Sequence, residues 1–122
     1  MAKSVALSND ILDHIVGNAT WTSPAPVFLA LAVAGTEVTE GNAARVEVPA
    51  GSWGSASGGE ISNTSVITFP EGGGDTVPDT FLVFDAATGG TQLRDGTLTS
   101  SFTWASNVTP EFAVGACTLT ES

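Results

Sequence analysis

The chain has 122 residues with 42% hydrophobic and only 13% charged side chains, fourteen glycines and six prolines. Three basic residues, Lys3, Arg45 and Arg94, against thirteen acidic ones give a net charge of −10, which excludes a nucleic-acid clamp because such a surface neutralises phosphates with Lys and Arg, and disfavours docking on anionic lipid. A chain of this size buries roughly two-thirds of its unfolded surface, enough for one core without disulfide staples, so residues 1–122 are expected to form a single domain.

The start, MAKSVALSNDILDH, places Asp10 and Asp13 where a signal peptide carries its apolar stretch, and no targeting segment is read there. Leu7, Ile11 and Ile15 recur every four residues with Leu12 and Val16 beside them; Ser4 or Ser8 is a candidate cap, and Gly17 stands where a left-handed stop belongs. These signals predict an amphipathic helix over about 5–16, docked through Leu7, Ile11 and Ile15. His14, the one histidine, lies near its C-terminal end as a dipole partner.

From residue 27 the period becomes two. In VFLALAV both alternating sets are apolar, which suits a strand buried on both faces; at eight residues with Ala34 the run is far too short to span a bilayer. In ARVEV, Val46 and Val48 point inward while Arg45 and Glu47 point out. Further strands are expected at 60–63, 65–69, 80–85, 91–94, 97–104 and 111–119, joined by turns at Gly35-Thr36, Gly41-Asn42, Gly58-Gly59, Gly72 to Asp75, Gly89-Gly90 and Asp95-Gly96. Asp95-Gly96, between two alternating runs, carries the strongest hairpin signal. The fold class is therefore mainly β: an antiparallel β-sandwich, jelly-roll or immunoglobulin-like, of about eight strands with a short N-terminal α-helix. Its expected core is Ile11, Leu29, Leu31, Val46, Val48, Ile67, Phe69, Phe81, Val83, Phe102, Val114 and Leu119.

Chemistry-bearing constellations are sparse. One histidine and one cysteine cannot make a zinc site or a disulfide, and Cys117 lies in an apolar run as a small hydrophobe. Asp75, Asp79, Asp85 and Asp95 sit in turn-rich sequence, where Asp serves its own backbone; GGGDTVPD matches no established calcium loop. Asn18, Asn63 and Asn107 begin Asn-X-Ser/Thr triplets that read as chance in a Thr/Ser/Asn-rich chain. No catalytic, cofactor or metal residue is assigned. The candidate interface residues are Trp53, in GSWGS, and Trp21, in TWTSP: an indole among small polar residues is either a lid on the core or an anchor for a partner.

The stretches LSNDILDHIVGNATWTSPAPVFLALAVAGTEVTE, ARVEVPAGSW, ASGGEISNTSVITFPE and FLVFDAATGGTQLRDGTLTSS together resemble a family of small tailed-bacteriophage accessory virion proteins. Its members read along the lines of LLDHILGNTAYTAPATLYLALF, ARV, GGSISNTAEITFP and IFDAATGGNLLWYGAL. The likeness runs over about residues 7–100 and departs at Ala44, where an aromatic would precede the arginine, and at QLRDGTL in place of LLWYGAL. Proteins of this kind are variously called capsid decoration, minor tail or tail fibre proteins. The resemblance implies a non-enzymatic virion structural protein, assembled in the bacterial host cytoplasm. The acidic charge suits the outer head surface, facing away from packaged DNA, and 122 residues without stalk, repeat or heptad run give little reach as a fibre. The expectation is a capsid decoration protein on the capsid exterior, with the major capsid protein of the phage head as partner and self-assembly on the virion open; the alternative is a tail, baseplate or tail-fibre component that binds tail proteins, a receptor or a glycan.

Overall fold

The structure, a computed structural model, describes residues 3–22, 26–39, 44–73, 76–98, 102–105 and 107–120. Helix α1, Val5–Ile15, begins where Ser4 turns extended and its Oγ accepts the Leu7 N–H at 3.1 Å. It stops at Gly17, whose φ of 80° a side chain would resist. Leu7 is buried and Ile11 packs partly buried beside it, but Ile15 is exposed, against expectation. The reason is rotation: each step of four residues drifts about 40° round an α-helix, so Ile15 has swung roughly 80° from Leu7.

Nine strands are described, all paired antiparallel: β1 Val27–Val33, β2 Thr36–Glu37, β3 Val46–Val48, β4 Glu60–Ser62, β5 Ile67–Thr68, β6 Thr80–Phe84, β7 Gln92–Thr97, β8 Glu111–Phe112 and β9 Thr118–Thr120. The main sheet runs β2-β1-β6-β7, with β3 also on β1. Because β2 pairs with Ala32 and Val33, and β3 with Val27 to Leu29, these two short strands share one edge of β1 end to end. A single glycine-assisted turn, Ala34 at φ 50° and Gly35 at φ 84°, joins β1 to β2. Beyond β7, the Ser4 N–H donates to the Leu93 carbonyl at 2.8 Å and Lys3 bridges Arg94, so the approach to α1 covers the sheet's other edge.

Two ladders, β4-β9 and β5-β8, supply the second layer of this sandwich-like arrangement. Between the layers lie Leu29, Leu31, Val48, Phe81 and Val83 from the main sheet, with Ile67, Phe69, Trp104 and Cys117. On the opposite face of the same sheet Ala30, Ala32, Leu82 and Phe84 form a smaller buried cluster. Both faces of β1 are thus closed, as its doubly apolar sequence predicts.

Four expectations are corrected. Asp95-Gly96 is not a turn: both residues lie inside β7, Asp95 opposite Leu82 and Gly96 opposite Phe81. The chain reverses instead at 85–91, where Gly89 and Gly90 take positive φ. The described part of 97–104 holds no strand beyond Thr97, although Leu98, Phe102 and Trp104 do turn to the core; residues 99–101 lie outside the described residues. The expected strand 111–119 is two strands, split by a turn in which the Ala116 N–H donates to the Ala113 carbonyl and Gly115 has φ 82°. That turn carries Val114 to the surface and out of the core. Finally, Arg45 does not point to solvent but is folded in, as described below.

Candidate functional site

Trp53 follows a 3-10 turn, Ala50–Ser52, that begins after the extended Pro49. Its backbone bridges Asn63, flanked by Gly54 N–H to the Ser62 carbonyl at 2.9 Å and Thr64 N–H to the Ser52 carbonyl at 2.7 Å. The indole is partly buried against the core, and its neighbour Gly51 has open space beside it. Trp21 is likewise partly buried at the core margin, and its backbone N–H donates to His14 Nδ1 at 3.3 Å. Both candidate indoles therefore rest on the same core with one side left to solvent, while His14, in the last turn of α1, holds the chain that leads to Trp21. The third indole, Trp104, is wholly internal. It meets Phe69 edge-on at 5.9 Å, donates from Nε1 to the Pro70 carbonyl at 2.9 Å, and backs so closely on Gly72 that a Cβ there would overlap its carbonyl.

Arg45, Asn63 and Asp85, which lie within the stretches that carry the family resemblance, hold chain to chain. Arg45 of ARV places Nε and Nη2 on the two Glu37 carboxylate oxygens at 3.0 Å each, and gives Nη1 to the carbonyls of Ala86 and Gly89 at 2.8 Å each. Its guanidinium carbon lies 3.5 Å from the Phe84 ring centroid. One side chain thereby ties β2 to the 85–91 turn and caps the smaller cluster. In that turn, FDAATGG, Asp85 Oδ1 accepts the Thr91 N–H at 2.7 Å, and a Cβ on Gly90 would come within 2.4 Å of the same oxygen.

Asn63 of ISNT is 1% exposed. Its Nδ2 donates to the carbonyls of Ser65 and Ala113 at 2.8 and 3.0 Å, and its Oδ1 accepts the Cys117 N–H at 2.9 Å. Buried and fully engaged, it is no glycan acceptor; it anchors the 113–117 turn that the sequence conceals. Asp79 serves another turn, accepting the Ala34 N–H at 2.9 Å. Asp75, with Gly74 of the same loop, lies outside the described residues.

Between the main sheet and the C-terminal segment is an apolar cavity of about 800 Å³, walled by Leu29 and Phe81 on one side and Pro110, Phe112 and Cys117 on the other. Burial pushes the Cys117 thiol up to about 11, so at neutral pH it is a protonated, apolar part of this wall rather than a nucleophile. Sequence periodicity has no signal for such a space, because its walls come from segments some eighty residues apart in the chain. Among the described residues no group of three His, Cys, Asp or Glu side chains is gathered to hold a metal, and no helix is long and apolar enough to cross a membrane.

Among the described residues, Trp53 and Trp21 are partly exposed, and Val5, Leu12, Ile15 and Val16 of α1, with Val33, Val66, Val77 and Val114 elsewhere, are exposed. No curated protein matches the chain. A family model described as podophage GP4 fiber I protein gp80 matches residues 2–120, nearly end to end and in agreement with the resemblance over about residues 7–100, and the chain belongs to this family of small phage virion proteins.

Proposed function

We propose that this protein is a non-enzymatic fibre component of a tailed-phage virion, mounted on the tail side rather than on the head. The family's description as a fiber protein, over residues 2–120, is the observation that carries this reading. It favours the tail alternative over the head decoration that charge and size first suggest. The side-chain chemistry supports a structural role: His14 Nδ1, Asp79 and Asp85 are engaged with backbone N–H groups, and the Cys117 thiol is buried and protonated. Trp53, and second Trp21, are the proposed contacts with the neighbouring virion protein, being large aromatics with a buried base and an open side. A net charge of −10 serves any exterior position by repelling DNA and other virions.

The test is location and copy number. Antibody against the purified protein, viewed on virions by electron microscopy, should decorate the tail, and quantitative gel densitometry should give roughly three to a few dozen copies per particle. Hundreds of copies, with binding to purified empty heads, would return the protein to the capsid exterior.

A further inference from the structure

The cavity between the main sheet and the C-terminal segment has a closed floor and a fixed mouth. Leu29 and Cys117, 1 and 4% exposed, lie at its floor with Phe81, so whatever enters must end there. Phe102 and Phe112, both partly buried, add two more aromatic rings to the walls. Ala113, Gly115 and Ala116 line the cavity too and are exposed, which places the mouth at this turn. Asn63 holds the turn in place: its Nδ2 donates to the Ala113 carbonyl at 3.0 Å, its Oδ1 accepts the Cys117 N–H at 2.9 Å, and its own carbonyl accepts the Gly115 N–H at 2.9 Å. A mouth already ordered by the fold loses little freedom when a ligand is captured.

We propose that this cavity is a binding site for a neutral, apolar small molecule of aromatic or compact hydrocarbon character. Size, surface and charge choose that occupant. At about 800 Å³ the space matches pockets that enclose a drug-sized molecule and far exceeds the water-sized voids that packing leaves in a core. Its surface is aliphatic and aromatic, with the rings of Phe81, Phe102 and Phe112 available for edge and face contacts, and the Cys117 sulfur is a soft, polarizable part of the floor. Among the described residues that line it, Glu111 is the one charged side chain, and no lysine, arginine or histidine is there to meet an acid. A fatty acid, a phospholipid phosphate or a sulfonate would bring its own negative charge beside Glu111 on a chain of net charge −10, so the site selects against anions of the same apolar bulk. This inference is independent of where on the particle the protein sits.

Two dyes that share one skeleton test it: phenylnaphthylamine, which is neutral, and anilinonaphthalene sulfonate, which is the same molecule bearing a sulfonate. The full-length protein is titrated to about 1 mM into about 1 µM dye at about 0.05 M NaCl, where charge is least screened, with excitation beyond the tryptophan band. Fluorescence of the neutral dye should rise and saturate at one site, with a Kd on the order of 100 µM, and the sulfonate should bind at least about tenfold more weakly. Glu111→Gln, a conservative change at an exposed position, should narrow that gap about threefold while leaving the neutral dye's Kd as it was. Ala116→Trp, which sets an indole at the mouth, should weaken the neutral dye about fivefold or more with the circular dichroism unchanged; should that variant not fold, the Glu111→Gln result alone decides. Leu12→Glu, on the exposed side of α1, should bind as the wild type does. A neutral dye that shows no saturable binding at about 1 mM protein overturns the proposal, as does a sulfonate that binds equally well. Binding that Leu12→Glu abolishes, and that Glu111→Gln and Ala116→Trp leave unchanged, overturns it too, because the dye is then on the helix and not in the cavity.

Discussion

Asn63 shows how much a single side chain can organise. Its amide satisfies three backbone groups from two segments some fifty residues apart, and the Cys117 N–H among them is buried. Asn63→Ala strands a buried N–H and two carbonyls, and the expected loss is about 2–4 kcal/mol, read as a melting temperature lower by roughly 10 °C. Cys117, whose N–H is one of those partners, makes a different test. Its folded-state thiol titrates near 11 rather than at the usual 9.0 because burial disfavours the thiolate. Between those values the folded chain keeps a proton that the unfolded chain has lost. Stability is therefore intact below pH 9 and falls as pH rises toward 11, by at most about 1.4 kcal/mol per pH unit. Urea titrations across pH 8–11 should show this slope in the wild type and a flatter one in Cys117→Ala. Trp53 separates binding from folding: if its open side is the proposed contact, Trp53→Ala should abolish incorporation into virions while melting only a few degrees lower. A large fall in melting temperature with incorporation intact would make it a lid on the core.

At the scale of elements, α1 holds the domain through one residue more than through its length. An isolated eleven-residue helix is marginal in water, and here the buried contact is Leu7, reinforced by the Ser4 N–H on the Leu93 carbonyl. Leu7→Ala should cost about 2–3 kcal/mol, whereas Leu12→Ala should stay within about 0.5 kcal/mol; paired denaturant curves decide it. Removing residues 1–16 should destabilise at least as much as Leu7→Ala, since it also bares the edge of β7. These elements were legible where pattern and packing agree. Ser4 and Gly17 mark α1, and the doubly apolar run of β1 announces a strand closed on both faces. Asp95-Gly96 misleads because its turn preference is local and weak beside four consecutive pairings with β6, from Thr80 opposite Thr97 to Val83 opposite Arg94, before the register shifts at Phe84. Arg45 misleads for the converse reason. Alternation says which way a residue leaves the strand, but not that a long side chain will bend back onto Glu37, Phe84 and two carbonyls. Of the candidate surfaces, the two indoles are visible in the sequence as aromatics among small residues. The cavity and the open flank of α1 are not, since both depend on which parts of an apolar pattern the rest of the fold leaves uncovered.

For the molecule as a whole, the main core draws on α1, on strands of both layers and on Trp104 and Cys117 near the C-terminal end. We propose accordingly that the chain is one folding unit. Intrinsic tryptophan fluorescence and far-ultraviolet circular dichroism should trace coincident urea transitions; two separated transitions would divide it. Of the three basic side chains, Arg45 is buried against Glu37, which leaves little cationic surface for ion pairs with a neighbour. Attachment to the virion should consequently weaken only slightly between about 0.05 and 0.5 M NaCl, measurable as copies retained after washing particles.

The position of β1 sets a timetable. Its main partner, β6, begins 47 residues after β1 ends, whereas β3 begins only 13 residues after it. At roughly 5–20 residues per second of synthesis, VFLALAV leaves the ribosome about 2–10 s before the strand that covers its second edge exists. During that interval β2 and β3 can pair with one edge of β1, at Ala32 to Val33 and at Val27 to Leu29, but the edge from Phe28 to Ala32 that β6 will cover waits with free backbone beside apolar side chains on both faces. Nascent chains in a crowded host cell are most open to mispairing with one another in those seconds, and slower initiation of translation or a lower growth temperature should raise the yield of soluble protein more than any change to its surface.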